Sequence, residues 1–368
     1  MLPPPASPGQ RLGDVDTPAL VVDLDAFERN LSILRETLKG RKIRVRPHAK
    51  THKSADISKI QIADGAVGVC CQKVSEAQAL VEGGVPDILV SNEVVGAQKI
   101  ARLVALAPKA RIGVCVDNLR NLRDIAAASG QAGARLDLYV ELEVGMARCG
   151  VPPGPAAVEL VKEILRHPHL RFGGLQAYHG RAQHLRTMEE RRDVISRAAE
   201  GVKRMKELLR KENIECPLVT GAGSGTFMFE VESGTWDEIQ PGSYVFMDAD
   251  YARNEWKAPL PRFEHSLFVL STVMSRPSDR MAILDAGLKA SSVDSGLPEI
   301  WKRPGLEYTH ASDEHGWLEG SDVPPLGEKV LLVPGHCDPT VNLYDWYVCV
   351  RKGKVEALWP VSARGAHY

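Results

Sequence analysis

Arg44-Val45-Arg46-Pro47-His48-Ala49-Lys50-Thr51-His52-Lys53 is the stretch on which the reading of the fold turns. Taken as a β-strand, it sends Val45, Pro47 and Ala49 to one face and Arg46, His48, Lys50 and His52 to the other. Strands normally bury an apolar face, and here the opposite face carries one lysine between two histidines. A lysine among ionisable neighbours, with its ammonium partly stripped of water, loses its proton readily and can form a Schiff base. The plain alternative is a solvated basic strand or a nucleic-acid patch, since Arg41, Lys42 and Lys53 lie close by.

Outward from this segment, short apolar or β-branched runs recur at 43–49, 66–70, 87–90, 111–116, 136–141, 172–177, 217–220 and 238–245. Helical patterns lie between them, for example at 75–82, 118–128, 156–166 and 189–211. Ser75 before Glu76, Asn118, and Thr187 ahead of Glu189 and Glu190 read as helix starts. Eight strands alternating with helices predict an α/β fold, a (β/α)8 TIM-like barrel over residues 29–260. An open doubly wound sheet is the rival, because periodicity does not show closure. After residue 260 the runs 266–273, 281–285, 329–334, 346–351 and 354–359 follow one another without helices, and Arg351-Lys352-Gly353-Lys354 reads as a hairpin turn. Residues 261–368 are therefore expected to form a second, mainly antiparallel β domain. The strand-like run 17–24, within an amino-terminal segment 1–28, is expected to pair with it.

Lys+Arg number 46 against 47 Asp+Glu, so the chain has no bulk electrostatic footprint for DNA or an anionic membrane. The start Met1-Leu2-Pro3-Pro4-Pro5-Ala6-Ser7-Pro8 has neither the basic nor the apolar region of a signal peptide. No apolar run approaches the ~20 residues needed to span a bilayer. The seven cysteines show no C-x-x-C spacing and read as reduced, mostly buried thiols. The expectation is a soluble cytoplasmic protein without nucleic-acid or membrane partners.

In a barrel, Lys50 falls at the carboxyl end of the first strand, where barrel active sites form. Gln72 follows the second strand, Asn92 the third, Arg148 lies shortly after the fifth, and Tyr178 and His179 end the sixth. After the seventh comes Thr220-Gly221-Ala222-Gly223-Ser224-Gly225-Thr226, whose backbone N–H groups and hydroxyls suit a phosphate, with a plain turn as the alternative. It is not a Walker A loop. In Pro334-Gly335-His336-Cys337-Asp338-Pro339-Thr340, an extended chain points His336 and Asp338 the same way and Cys337 the other. That pair could share a metal ion, or form a structural hydrogen bond near a turn.

Together, Arg46–Lys53, Cys70-Cys71-Gln72-Lys73-Val74-Ser75-Glu76-Ala77, Leu175-Gln176-Ala177-Tyr178-His179-Gly180, Phe246-Met247-Asp248-Ala249-Asp250-Tyr251 and His336-x-Asp338 closely resemble the D-threonine aldolases. That family stands with the D-serine dehydratases among the alanine-racemase-like, fold type III enzymes, and the resemblance spans nearly the whole chain. It implies pyridoxal 5'-phosphate, a divalent metal beside it, a homodimer, and a small D-β-hydroxy amino acid as substrate. It makes Lys50 the Schiff-base lysine and sets Tyr178 against the pyridine nitrogen. Gln72 and Arg148 would also contact the cofactor. Its phosphate would lie on Thr220, Gly223, Ser224, Gly225 and Thr226 with Gly242, Ser243 and Tyr244. His184 would lie near the substrate hydroxyl, and His336 and Asp338 would bind the metal. The D-serine and hydroxyaspartate dehydratases show His-x-Cys at that pair. A carboxylate there suits Mn2+, with Mg2+, Co2+ or Zn2+ as alternatives. The resemblance implies cleavage to glycine and an aldehyde. A D-serine or D-threo-3-hydroxyaspartate dehydratase is the rival enzyme, and a non-catalytic pyridoxal-phosphate-binding protein the rival of another class.

Overall fold

The structure, a computed structural model, describes residues 3–368. Strand β1 (Ala19–Asp23) is the first strand, preceded by a 3-10 turn at Leu12–Asp14. The next eight are β2 (Arg44–Val45), β3 (Val69–Cys71), β4 (Asp87–Glu93), β5 (Arg111–Val116), β6 (Leu136–Glu141), β7 (Leu170–Ala177), β8 (Val219–Gly221) and β9 (Glu238–Ile239). All eight are parallel; each from β3 to β8 pairs with the next, and β9 pairs with β2. The remaining seam, β2 to β3, is closed by backbone bonds from Val67 N to Val45 O (2.9 Å), Cys70 N to Pro47 O (2.8 Å) and Ala49 N to Cys70 O (2.8 Å). The sheet is thus a TIM-like barrel, and the open-sheet alternative falls.

The first barrel strand is shorter than the sequence suggests, because Pro47 has no N–H to continue a ladder. Its alternation persists nonetheless. Arg46 points into the barrel, fully buried, with Nε on Glu238 (2.9 Å) and Nη1 on Asp87 (2.6 Å). Arg44 also pairs with Glu238 (2.8 Å) and Arg111 with Asp87 (3.5 Å), so the network runs from the barrel interior out to its rim. Beside it, Cys70, Leu89, Cys115, Tyr139 and Leu218 form a buried cluster. Gly173 admits the Tyr139 ring, since a Cβ there would lie 2.7 Å from it.

Alternation fails after Lys50. Residues 48–53 close a turn, with His52 N on Ala49 O (3.2 Å), Lys53 N on Ala49 O (2.7 Å) and Lys53 at φ 49°. His52 leaves the Lys50 face and is buried against Gln61 (3.2 Å), where loss of water pulls its imidazole down to about 4. Lys53 is tied to Glu76 at 2.5 Å.

Helices Leu119–Ala132 and Met188–Lys211 begin at Asn118 and Thr187, whose side chains accept from the first turn. Ser75 is not a cap. That helix, Val74–Glu82, starts one residue earlier, and Glu76 reaches back to the N–H groups of Gln72 and Lys73. The eighth barrel strand also ends early, at Ile239, and Ser243–Val245 is a 3-10 turn.

The second domain holds β10 (Leu267–Ser278), β11 (Met281–Leu284), β12 (Glu299–Ile300), β13 (Leu306–Ala311), β14 (Gly316–Gly320), β15 (Lys329–Val333), β16 (Trp346–Arg351) and β17 (Lys354–Pro360). β12, β13 and β14 are additional to the sequence reading; they are short and interrupted by polar turns. Every pairing in this sheet is antiparallel except β1 with β16, and β1 lies between β10 and β16. Phe27, Phe246 and Tyr347 stack across the junction and lie in one buried cluster. After β15 the chain returns to the barrel: Ala249 N donates to Pro334 O (3.0 Å), Asp250 N to Gly335 O (3.2 Å) and Cys337 N to Asp248 Oδ2 (3.0 Å). That stitching brings His336 and Asp338 to the barrel mouth.

Candidate active site

A cavity of about 390 Å³ opens where the barrel strands end. Lys50, Gln72, Arg148, Tyr178 and His184 line it, together with His48, Ser91, Gln176, Arg181 and Gln240. No carboxylate is among the lining side chains.

Lys50 Nζ contacts Asp338 Oδ2 directly. Burial lowers the lysine's pKa, but Asp338, then Tyr178, outweigh it and hold the ammonium above its usual range. The expected easily deprotonated lysine is therefore not found: a carboxylate partner overrides the neighbouring histidines. His48, two residues earlier, is kept neutral by burial and then by the Lys50 charge. Its Nδ1 accepts the Lys50 N–H (3.3 Å), and Nε2 faces Ser91 Oγ (3.1 Å) and Gln72 (2.9 Å).

Arg148 lies 5.8 Å from the Tyr178 ring centre and 3.7 Å from Glu141. Burial pushes the Tyr178 phenol up, so it stays protonated. His184 Nδ1 meets Asp250 Oδ2 at 2.5 Å, and Asp250 is also held by Arg186 (2.6 Å). Asp250, within the Phe246–Tyr251 motif, thereby orients His184.

The glycine-rich loop lies beside the cavity and does not line it. Thr220 points into the barrel, bonded to Glu238 (2.9 Å) and Gln240 (2.8 Å). Gly225 N donates to Gln183 Oε1 (2.9 Å), Thr226 Oγ1 binds Gln183 (2.8 Å) and Glu230 (2.8 Å), and Ser224 Oγ accepts from Tyr244 N (2.9 Å). The Tyr244 side chain turns away into the core, its hydroxyl on Gln61 (3.1 Å). A Cβ on Gly223 would lie 2.6 Å from Gln183, and one on Gly242 2.5 Å from Thr51 Oγ1. The N–H groups of Gly223, Ser224 and Ser243 have no intramolecular acceptor among the described residues. Free amides on a tight glycine turn fit a phosphate.

His336 and Asp338 are not on an extended chain. His336 is the last extended residue before a short helix, Cys337–Val341, to which its side chain gives no capping bond; Pro339 lies in the first turn, where a missing N–H costs nothing. The two side chains still share one neighbourhood, while Cys337 is fully buried with Sγ toward Met247 O (3.5 Å). Burial opposes charge on both partners. Yet Lys50 and His336 hold Asp338 well below the carboxylate range, and Asp338 with Asp294 holds His336 above its usual value. Asp338 Oδ1 is buried and makes no well-aligned hydrogen bond among the described residues, although the Thr51 hydroxyl, itself unpaired, lies close enough to favour the charged carboxylate. His336 Nδ1 is taken by Asp294 (2.8 Å), which leaves Nε2 as its ligand atom. An orphaned carboxylate oxygen and an oriented imidazole fit a divalent cation, although no group of three such ligands occurs among the described residues.

A parallel barrel with a lysine at its first strand end, joined to an antiparallel β domain, is the architecture of the alanine-racemase type. The chain belongs to that family: residues 22–250 match the sequence model of the alanine racemase N-terminal domain, and residues 266–350 that of a serine dehydratase domain. More particularly, it is 50% identical to a D-threonine aldolase of Arthrobacter sp, over 99% of this chain and 97% of the relative. It is 46% identical to a 3-hydroxy-D-aspartate aldolase of Paracoccus denitrificans, over 99% and 96%. The crystal structure of D-threonine aldolase from Filomicrobium marinum superimposes with a TM-score of 0.97 at 49% identity, covering 99% of this chain and 100% of that one. Similarity to the D-threo-3-hydroxyaspartate dehydratase of Delftia sp. is lower, 28% over 89% and 92%. The family implies pyridoxal phosphate. No helix among the described residues is long and apolar enough to cross a membrane.

Proposed function

We propose that this protein is a lyase that cleaves D-threonine and related D-β-hydroxy amino acids to glycine and an aldehyde. The observation that supports the reading is the contact between Lys50, which lines the cavity, and Asp338 behind it, which would set the cofactor lysine beside a metal ligand. Pyridoxal phosphate, when bound, supplies the electron sink for breaking Cα–Cβ.

The chain's own residues supply the rest. Lys50 is the attachment point. The free amides of Gly223, Ser224 and Ser243 receive the phosphate. Tyr178, kept protonated by burial, offers the ring nitrogen a hydrogen bond and no charge. Arg148, poised over Tyr178, and Arg181 are the cations available to a substrate carboxylate. His184 is the base for the β-hydroxyl. Asp250 is ionised and can only accept, so it fixes the proton on Nδ1 and leaves the Nε2 lone pair exposed. His336 and Asp338 would hold a divalent metal, with Mn2+ the best match to a carboxylate, and that ion would supply Lewis-acid chemistry. A homodimer is part of the same proposal, supported by the family resemblance and checked by light scattering.

Product analysis tests the reading. The protein, supplied with cofactor and a panel of metals, is incubated with D-threonine, D-allo-threonine, D-3-hydroxyaspartate, D-serine and L-threonine. Glycine plus an aldehyde from the D-substrates supports it. Ammonia plus a 2-oxo acid overturns it in favour of a dehydratase, and no turnover with cofactor bound favours a non-catalytic binding protein.

A further inference from the structure

The 336–338 segment is roofed by a loop, residues 285–298, that joins β11 to β12. At its centre Asp294 Oδ2 lies 2.8 Å from His336 Nδ1. Two hydroxyls fix the same carboxylate, Ser292 Oγ on Oδ1 (2.8 Å) and Ser295 Oγ on Oδ2 (3.2 Å). The loop is also sewn to the helix it covers. Ser292 N donates to Thr340 Oγ1 (3.2 Å), and Thr340 Oγ1 donates to His336 O (2.8 Å). Gly335 and Gly296 pass so closely that a Cβ on Gly335 would lie 2.1 Å from Gly296 O.

From the barrel side Arg253 Nη2 donates to Ser295 O (2.7 Å) and reaches Asp250 Oδ1 (3.3 Å), the carboxylate that holds His184. His184 and His336 are thus each backed by an aspartate, and one guanidinium bridges their supports.

An imidazole with no partner on Nδ1 can flip about its outer torsion and exchange tautomers. A carboxylate on Nδ1 removes both freedoms and makes Nε2 a better donor to a metal. We propose that Asp294 is the positioning residue for His336 as a metal ligand, and that Arg253 keeps the Asp294 loop in register with the Asp250–His184 pair. The inference rests on the reading of His336 as a metal ligand.

The test measures Mn2+ affinity directly, by following free Mn2+ with electron paramagnetic resonance as it is titrated into the cofactor-loaded, chelator-stripped protein. Wild type is compared with Asp294→Ala, Asp294→Asn, Arg253→Ala and His336→Ala, and each variant's melting temperature in chelator confirms folding. Asp294→Ala should weaken binding roughly ten- to hundredfold. Asp294→Asn should recover part of it, because its amide oxygen still accepts from Nδ1–H. Arg253→Ala should give a smaller loss of the same sign. If His336→Ala loses the metal while folded Asp294→Ala binds it like wild type, the inference fails and the metal reading survives. If His336→Ala also binds like wild type, the metal reading fails and takes the inference with it. Wild-type affinity in Arg253→Ala alone removes the bridge from the proposal.

Discussion

The two flanks of the cavity solve different electrostatic problems. Where the 336–338 segment meets Lys50, charges crowd together: an ammonium, an imidazole and three aspartates, with one carboxylate oxygen left unpartnered. Where residues 222–226 pass, no ion pair is formed, the hydroxyls are engaged with Gln183, Glu230 and the chain itself, and backbone N–H groups remain free. A flank built of opposed charges is held by the ion pairs among them, whereas one built of satisfied dipoles keeps backbone donors to spare. The contrast teaches that full hydrogen bonding and readiness to bind are compatible when the spare groups are backbone donors.

The largest expected effect comes from the charged flank. Lys50→Ala should abolish the visible absorbance band of the cofactor-loaded protein together with activity, while Lys53→Ala, whose target is locked to Glu76, should keep the band. The opposite outcome would move the attachment point. Next in size, Asp338→Ala should lower metal content and cleavage together while the Lys50 band persists, whereas Cys337→Ala should leave metal content close to wild type. Metal lost from the Cys337 variant alone would reverse the assignment of ligands.

On the 222–226 flank, Ser224→Asp sets a negative charge beside the phosphate. Cofactor affinity should fall by about tenfold or more, on the order of 1.4 kcal/mol, and an equilibrium titration showing no change would remove the loop from the site. The smallest effect concerns the one acid hidden there. Burial pushes Glu230 up to about 8, and its Oε2 has no partner among the described residues. Because the folded pKa lies above the unfolded one, its contribution is fully present below the ordinary glutamate pKa and is lost as pH rises through 8. Glu230→Gln should therefore raise the melting temperature by a few degrees at pH 9 relative to wild type and do much less at pH 5. Equal shifts at both values would show that the flank does not depend on a protonated Glu230.

Much of this was legible in the sequence, for reasons that can be located. Period-two alternation carried the reading correctly from Arg46 through His48 to Lys50, because a barrel strand keeps that period until its chain turns. It failed at His52, where a turn replaced the strand. The barrel was legible because strands and helices have different periods, while β13 and β14 were hidden among polar turns. His336 and Asp338 were found by type and spacing, yet their meeting with Lys50 bridges 288 residues and no local pattern encodes it. Asp250 and Asp294 passed unread because a carboxylate that orients a histidine carries no spacing signal when its partner lies in another segment. Tyr244 illustrates the reverse: its backbone joins the loop, but an aromatic ring flanked by apolar residues was drawn into the core.

The placement of β1 has a consequence for how the molecule is made. Its residues Ala19–Val22 are fully buried between β10 and β16, whose sequences lie beyond the entire barrel. At a synthesis rate of about 5–20 residues per second, this strand waits roughly ten to fifty seconds on the ribosome before β10 follows it. Most of that interval is spent making the barrel, whose last strand β9 ends shortly before β10 begins, and the unit that closes its mouth is made last. Newly made chains therefore pass through a stage in which an apolar edge is bare and the Lys50 wall has no opposite side. Chaperone demand and sensitivity to proteolysis should concentrate at that stage.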